Sequence, residues 1–458
     1  MHKVRTGADD VHAGAYAGRW VDRPVPKFAI PKQGMSADAA YCLVHDELNL
    51  DGNPALNLAS FVTPWMEPQA EKLATETLGK NMIDQDEYPQ TEAIHERVVS
   101  MTGRLFHAPH DAEPVGTATI GSSEAIMLAC LAHRQSWRDR RRAAGEPIDR
   151  PNLVIGADVH TCWEKFTRYF DVEPRVVPMT EESYTLSAAD VEAHTDESTI
   201  AVGALLGTTF TGQIDELAEI DALLMRLRAD NGWHVPLHID AASGGFLAPF
   251  TRPDLAWDFR LPSVRSINVS NHKFGLVYPG MGTVVFRDRS DLPDELVFHI
   301  NYLGGDMPNY SLNFSRPSNS VILQYYNFLR LGSAGYGRIA QAMVDNAQAL
   351  TDGLLATGAF EALHDRESFP VVVVRAKDPR HDVYALSDRL RQRGWIVPAY
   401  SLPPNAEHVE VLRMVVKESF SRDMVDLLLD DVRRALAGDA GGSRENAPAK
   451  GERARPVC

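Results

Sequence analysis

Cysteine is scarce in this chain, and the four present, Cys42, Cys130, Cys162 and Cys458, stand far apart with no CxxC pair. That argues against a disulfide framework or a structural zinc site and suits a reducing, cytoplasmic compartment. Long apolar runs are missing too: the densest, 200–206 and 371–374, fall well short of the ~18 residues a membrane helix needs. Residues 1–26 mix Lys3, Arg5, Asp9 and Asp10 with glycine around no apolar stretch, so no secretory signal is expected. Positive charge is in deficit, 46 Lys and Arg against 62 Asp and Glu, a formal charge of −16. Such a surface repels phosphate backbones and anionic headgroups, which argues against nucleic acid or a membrane as principal partner. It leaves a small-molecule substrate open, because one pocket can invert the global sign.

What is present is the composition of a large globular protein: 458 residues, 44% hydrophobic and 24% charged. An N-terminal arm is expected over 1–55, irregular apart from one short helix at 41–50. Between about 57 and 332, short β-type runs at 152–155, 175–178, 199–206, 234–240, 266–270 and 282–286 alternate with helical ones. This alternation predicts an α/β fold with a mostly parallel sheet covered by helices. Behind Ser122-Ser123, the residues Ala125, Leu128, Ala129 and Ala132 keep helical spacing. A long helical region over 320–357, interrupted near 332–337, leads to strands at 369–376, 395–399 and 408–416 and helices at 382–393 and 421–436. The expected organisation is a large domain over 56–343, a small α+β domain over 344–437 and a disordered tail over 438–458, with no internal repeat.

Three segments carry chemistry. Leu237-His238-Ile239-Asp240 is an apolar strand ending in a carboxylate, followed by Ala241-Ala242-Ser243-Gly244-Gly245. Ligands of open α/β sheets sit beyond the carboxyl ends of strands, so Asp240 points where a flat ring has room, although a lone strand-end Asp more often only caps a turn. The strand 266–270 ends in Ser270-Asn271-His272-Lys273. A lysine on such a loop is partly desolvated, which lowers its pKa and makes it a nucleophile. Lys165 is a competitor with no strand-end carboxylate in step with it. Finally, Gly121-Ser122-Ser123 opens a helix, where free N–H groups, the helix dipole and two hydroxyls can hold a phosphate. Together these meet the needs of pyridoxal phosphate: a phosphate cup, an acid for the ring nitrogen and a lysine for the aldehyde.

In this order and spacing the segments resemble the pyridoxal-phosphate decarboxylases of the aspartate-aminotransferase fold (fold type I), and the fuller wording resembles the glutamate decarboxylase family. The likeness extends to Asn57-Leu58-Ala59-Ser60-Phe61, Met82-Ile83-Asp84, Glu87-Tyr88-Pro89-Gln90, Cys162-Trp163-Glu164-Lys165-Phe166, Thr209-Phe210-Thr211-Gly212, Tyr302-Leu303-Gly304-Gly305 and Asn313-Phe314-Ser315-Arg316-Pro317. It covers roughly 40–436.

The resemblance implies pyridoxal 5'-phosphate as cofactor, with Lys273 forming its Schiff base and Asp240 keeping the ring nitrogen protonated. It assigns His160 to one face of the ring and Ala242 to the other. Ser122, Ser123, Ser270 and His272 become phosphate and lysine-loop contacts, and Thr209 a hydroxyl near the ring oxygen and the substrate carboxylate. Ser60, the Phe61 backbone, Asn81 and Asp84 are implied to take the distal carboxyl of L-glutamate, and Arg413 its α-carboxylate. Asp84 against that carboxyl requires a shared proton, which favours binding at mildly acidic pH. Tyr302, in the loop 299–306, and Lys273 are the candidate acids for returning a proton to carbon. Phe314 and Ser315 resemble residues donated to the cofactor site by a neighbouring subunit, which makes a homodimer the minimum unit, with a hexamer as trimer of dimers open. The implied reaction is decarboxylation of L-glutamate to 4-aminobutanoate (GABA). A related decarboxylase for aspartate or an aromatic amino acid is the alternative.

Some positions depart from the pattern. Asn271 stands where the family commonly has glycine, so a left-handed backbone is expected there. Ser60 replaces the commoner threonine. The tail 438–458 lacks the histidine that closes some bacterial sites, and it also lacks the aromatic-anchored basic helix for calmodulin, so neither is expected. Gly335-x-Gly337-x-x-Ala340 follows a helical run rather than a strand, and His95-Glu96 is followed by Val99 where a zincin would have histidine. No metal site is expected.

Overall fold

The computed structural model describes residues 27–109, 115–180, 183–300, 307–363, 369–378 and 380–439. The chain divides into two compact units, 1–56 and 57–458. In the first, helix α1 (Ala37–Leu48) starts at Ser36, whose hydroxyl accepts from the Ala39 N–H at 3.3 Å, an N-cap that satisfies one free helix donor.

The second unit opens with α2 (Pro68–Thr77) and α3 (Pro89–Leu105), each begun by proline, whose missing N–H costs nothing in a first turn. It continues through β1 (Val115–Thr119), α4 (Ser122–Ala144), β2 (Asn152–Gly156), α5 (Thr161–Tyr169), β3 (Glu173–Val177), α6 (Ala188–His194), β4 (Thr199–Leu205), α7 (Leu217–Asn231), β5 (Leu237–Asp240), β6 (Val264–Val269) and β7 (Gly282–Phe286). These strands form one seven-stranded sheet in the order β1-β7-β6-β5-β4-β2-β3. All neighbours are parallel except β7, which runs antiparallel between β1 and β6. The mostly parallel α/β sheet expected from the sequence is therefore present. β4 is buried along its whole length, as a strand covered on both faces must be. Trp163 and Phe166 of α5 pack with Ile126 and Cys130 of α4 against Leu153, Ile155 and Ile200, and each such apolar side chain contributes about 1.5–3 kcal/mol by leaving water.

A hairpin of β8 (Phe298–Ile300) and β9 (Met307–Asn309) precedes α8 (Asn319–Ala356). That long helical region breaks at Gly332, where φ is +56°, a conformation glycine adopts without a Cβ penalty. The expected interruption is thus real, and Gly335 and Gly337 are helical rather than part of a nucleotide loop. A four-stranded antiparallel sheet follows, in the order β10 (Phe360–Ala362), β11 (Val371–Ala376), β13 (Glu410–Val415), β12 (Ala399–Ser401), with α9 (Val383–Gln392) and α10 (Arg422–Asp439). Two details correct the sequence reading. The strand expected over 395–399 lies instead at Ala399–Ser401, leaving Ile396 in a lone bridge to Asn57. β1 and β10 were not expected, because Val-Gly-Thr-Ala-Thr and Phe-Glu-Ala carry little apolar signal. Most of the expected disordered tail, 440–458, lies outside the described residues. Among those described, no helix is long and apolar enough to cross a membrane.

Candidate active site

β5 lies between β4 and β6 and ends at Asp240, which is 6% exposed. Its Oδ1 accepts from Asn268 Nδ2 at 2.9 Å and from the Ala242 N–H at 3.1 Å, and its Oδ2 accepts from Trp163 Nε1 at 3.1 Å. All three donors are neutral. A carboxylate bonded only by neutral donors keeps acceptor capacity on both oxygens, and so suits a cationic ring nitrogen.

Lys273 sits in the turn after β6, its Nζ 3.3 Å from Ser243 Oγ and 4.8 Å from the centre of the Phe61 ring. Burial lowers the pKa of its amine, and the negative charge of Asp240 partly opposes the shift. The turn is strapped down from outside: Thr63 donates its hydroxyl to the Lys273 carbonyl at 2.7 Å and its N–H to the His272 carbonyl at 2.9 Å. His272 Nδ1 accepts from the Met281 N–H at 3.2 Å, and burial, reinforced by the charge of Lys273, lowers its pKa to about 4. It is a neutral acceptor rather than a cation. Asn271 is a correction: it takes no left-handed φ, and the left-handed residue of this turn is Leu276, at φ +65°. Asn271 is used for its amide, which donates to Gln324 at 3.0 Å and accepts from Thr283 at 2.8 Å, both buried. Lys165, the competing nucleophile, is exposed on α5.

At the start of α4, Gly121 offers no side-chain cap to the first N–H groups. Ser122 Oγ lies 2.6 Å from Ser270 Oγ, joining the helix start to the end of β6, and Ser123 bonds the thiol of Cys162. His160 is the N-cap of α5, its Nδ1 accepting from the Cys162 N–H at 3.3 Å. Burial, and then the charge of Lys273, lowers its pKa. Ala242 is half-buried beside Asp240.

Arg413 comes from β13 of the second sheet. Its Nη1 donates to the Thr209 carbonyl at 2.5 Å and its Nη2 to the Ala59 carbonyl at 2.7 Å, while Nε is buried with no partner among the described residues. The guanidinium lies 5.2 Å from the Phe61 ring and 5.7 Å from Tyr400. Phe61 was expected to act through its backbone, yet its ring faces both cations, Lys273 and Arg413. Thr209 meets Arg413 through its carbonyl rather than its hydroxyl. Ser60 Oγ accepts from the Val62 N–H at 3.1 Å in the strap leading to Thr63. Asn81 forms a second cluster, donating to Asp84 Oδ1 at 3.2 Å and to Ser315 Oγ at 3.4 Å. Ser315 and Phe314 are exposed, and Tyr302 lies outside the described residues.

Sequence reasoning gave no role to Trp163, Asn268, Ser243, Thr63 or Gly282. Asn268 is set beside Asp240 by the parallel register of β5 and β6, which only the folded sheet supplies. Gly282 likewise carried no signal: a Cβ there would stand 2.7 Å from Gly121 C and 2.9 Å from Ser122 N, a clash visible only once β7 meets the start of α4.

Residues 31–377 match the pyridoxal-dependent decarboxylase conserved domain. The chain belongs to that family. A glutamate decarboxylase of Solanum lycopersicum is 49% identical over 437 residues, covering 95% of this chain and 87% of the relative. One from Aliivibrio fischeri is 43% identical over 440 residues, 95% of each. The solved structure of Lactobacillus brevis glutamate decarboxylase superposes with a TM-score of 0.91 at 41% identity, covering 93% of this chain and 98% of that one. The family's cofactor fits the donor set: an uncapped helix start beside two hydroxyls for its phosphate, a buried carboxylate bonded by neutral donors for its ring nitrogen, and a buried amine 3.3 Å from Ser243 Oγ for its aldehyde.

Proposed function

We propose that this decarboxylase converts L-glutamate to 4-aminobutanoate and CO2, taking up one proton per turnover. Pyridoxal phosphate, when bound, supplies an electron sink for the pair left on carbon as the carboxyl group departs. The protein supplies position and charge. Lys273 would carry the cofactor, Asp240 would keep its ring nitrogen cationic, and His160 and Ala242 would border it. Ser122, Ser123, Ser270 and His272 serve the phosphate and the lysine turn. The observation that carries the reading is Arg413, a guanidinium anchored on two main-chain carbonyls with its buried Nε unpartnered among the described residues, facing the same aromatic ring as the lysine amine. A fixed cation beside the reacting amine suits an α-carboxylate, and the likeness to named glutamate decarboxylases supports glutamate as its owner.

Ser60, Phe61, Asn81, Asp84 and Thr209 would then surround the rest of the substrate, with Asp84 and the distal carboxyl sharing a proton. The proton that completes the product comes from Lys273 or Tyr302. Phe314 and Ser315, both exposed, would reach the site of a second copy, making the working unit a homodimer or a hexamer built from dimers, in the cytoplasm. Amine and CO2 analysis after incubation with a panel of amino acids tests the reading. γ-Aminobutyrate from glutamate alone is expected. Product only from aspartate or an aromatic amino acid would replace glutamate, and loss of CO2 release in Lys273→Ala separates catalysis from background. In Asp84→Asn the affinity for glutamate should lose its preference for mildly acidic pH, and an unchanged KM profile between pH 4 and 7 would overturn the shared proton.

A further inference from the structure

Behind Asp240 runs a chain of side-chain hydrogen bonds that no step above uses. Asn268 Nδ2 lies 2.9 Å from Asp240 Oδ1, His238 Nε2 2.7 Å from Asn268 Oδ1, Ser266 Oγ 2.7 Å from His238 Nδ1, and His133 Nε2 2.6 Å from Ser266 Oγ. Asn268, His238 and Ser266 are fully buried and His133 is 3% exposed. We propose that His238, Ser266 and His133 are positioning residues which, through Asn268, fix Asp240 as the acceptor that holds the cofactor's ring nitrogen.

The direction of every link follows from valence. Asp240 takes three hydrogen bonds from Trp163, Ala242 and Asn268, so its oxygens accept and Asn268 must present its NH2 group. The Asn268 carbonyl then faces His238, whose Nε2 must carry the hydrogen. A neutral imidazole has one bare nitrogen, so His238 Nδ1 accepts the only hydrogen of Ser266. That leaves the serine oxygen to accept from His133 Nε2. All four links donate toward Asp240, and such aligned dipoles reinforce one another in a dry interior. Reversing the chain would require a protonated Asp240, a flipped amide and two new tautomers at once, against the two further donors Trp163 and Ala242.

The surroundings agree. Burial lowers the pKa of His238 to about 4 and that of His133 well below its usual value, so both rings stay neutral. The charged groups acting on the two rings are Asp240 at the inner end and Arg140 and Arg265 at the outer end. Trp163 clamps the arrangement, since it donates to Asp240 and also packs edge-on against His238 with ring centres 5.6 Å apart. The outer end, His133, lines a cavity of about 530 Å3 shared with Arg140, Arg265 and His234.

The proposal depends on the cofactor, not on which amino acid is the substrate, so its test reads the bound cofactor in the holoenzyme. Ser266→Ala breaks the chain at its middle and Ser266→Thr keeps the hydroxyl. His133→Leu removes the outer donor and His133→Gln retains an N–H at the same reach. In Ser266→Ala and His133→Leu, the pH midpoint of the cofactor's visible absorption change should move by about half a unit or more, as expected when the charge balance at one site shifts. Turnover should fall at least about tenfold by the usual weight of a lost buried hydrogen bond. The threonine and glutamine variants should restore both. Histidine 15N shifts of the wild-type holoenzyme should report both rings as Nε2–H tautomers. Unchanged absorption in the broken variants, failure of both retaining variants to rescue, or an Nδ1–H tautomer at His238 would each overturn the proposal.

Discussion

Arg413 holds two main-chain carbonyls with two of its nitrogens and keeps the third buried and unpartnered among the described residues. Lysine cannot reproduce that fork, because a single ammonium has neither the planarity nor the spread of donors. Arg413→Lys is therefore expected to raise KM by about 10- to 100-fold with a smaller change in kcat, the signature of lost ground-state binding in steady-state kinetics. At this scale the sequence offers candidate residues, and folding decides the contacts each one makes. Lys273 and Asp240 stood out as an amine and an acid at strand ends, whereas Arg413 was expected only through the family resemblance. The employment of Asn271 was misread, since composition favours a backbone explanation for Asn, whereas a buried amide needs partners that only folding supplies.

At the scale of elements, the site is a meeting of ends. Asp240 closes β5, the lysine turn follows β6, and the Gly121-Ser122-Ser123 cup opens α4. β7 decides how close the cup may come, and Gly282 is the point of approach. Gly282→Ala would push the start of α4 outward and should weaken cofactor binding about tenfold, measurable by titrating the apoenzyme with pyridoxal phosphate. An unchanged dissociation constant would show that the helix start has room to yield. The period-two alternation of strands also organises what lies behind the acid: His238 and Asp240 on β5 stand in register with Ser266 and Asn268 on β6. The strands themselves could be read from the sequence, but their mutual register could not, so the hydrogen-bonded chain was hidden in residues already in view.

For the molecule as a whole, stability also responds to buried titratable groups. Glu418 follows β13, and burial raises its pKa from 4.5 to about 7, with Oε1 left unpartnered. The folded state thus holds a proton that the unfolded chain releases near pH 4.5. Its contribution is fully present below that value and is lost as pH rises through about 7. Glu418→Gln should flatten this decline, making the variant more stable than the parent at pH 8 by about 2 kcal/mol but not at pH 4, as denaturant titrations at the two pH values would reveal. Net charge argued only about partners. The chain is acidic as a whole, yet Lys273 and Arg413 gather around one aromatic ring. By itself, the sequence determined the alternation that builds a parallel sheet and the residue types that suit the cofactor, since both are local consequences of periodicity and chemistry. Only the tertiary structure decided strand register, the approach of β7 to the helix start and the direction of each buried hydrogen bond. These depend on atoms that are distant along the chain and become neighbours when the sheet assembles.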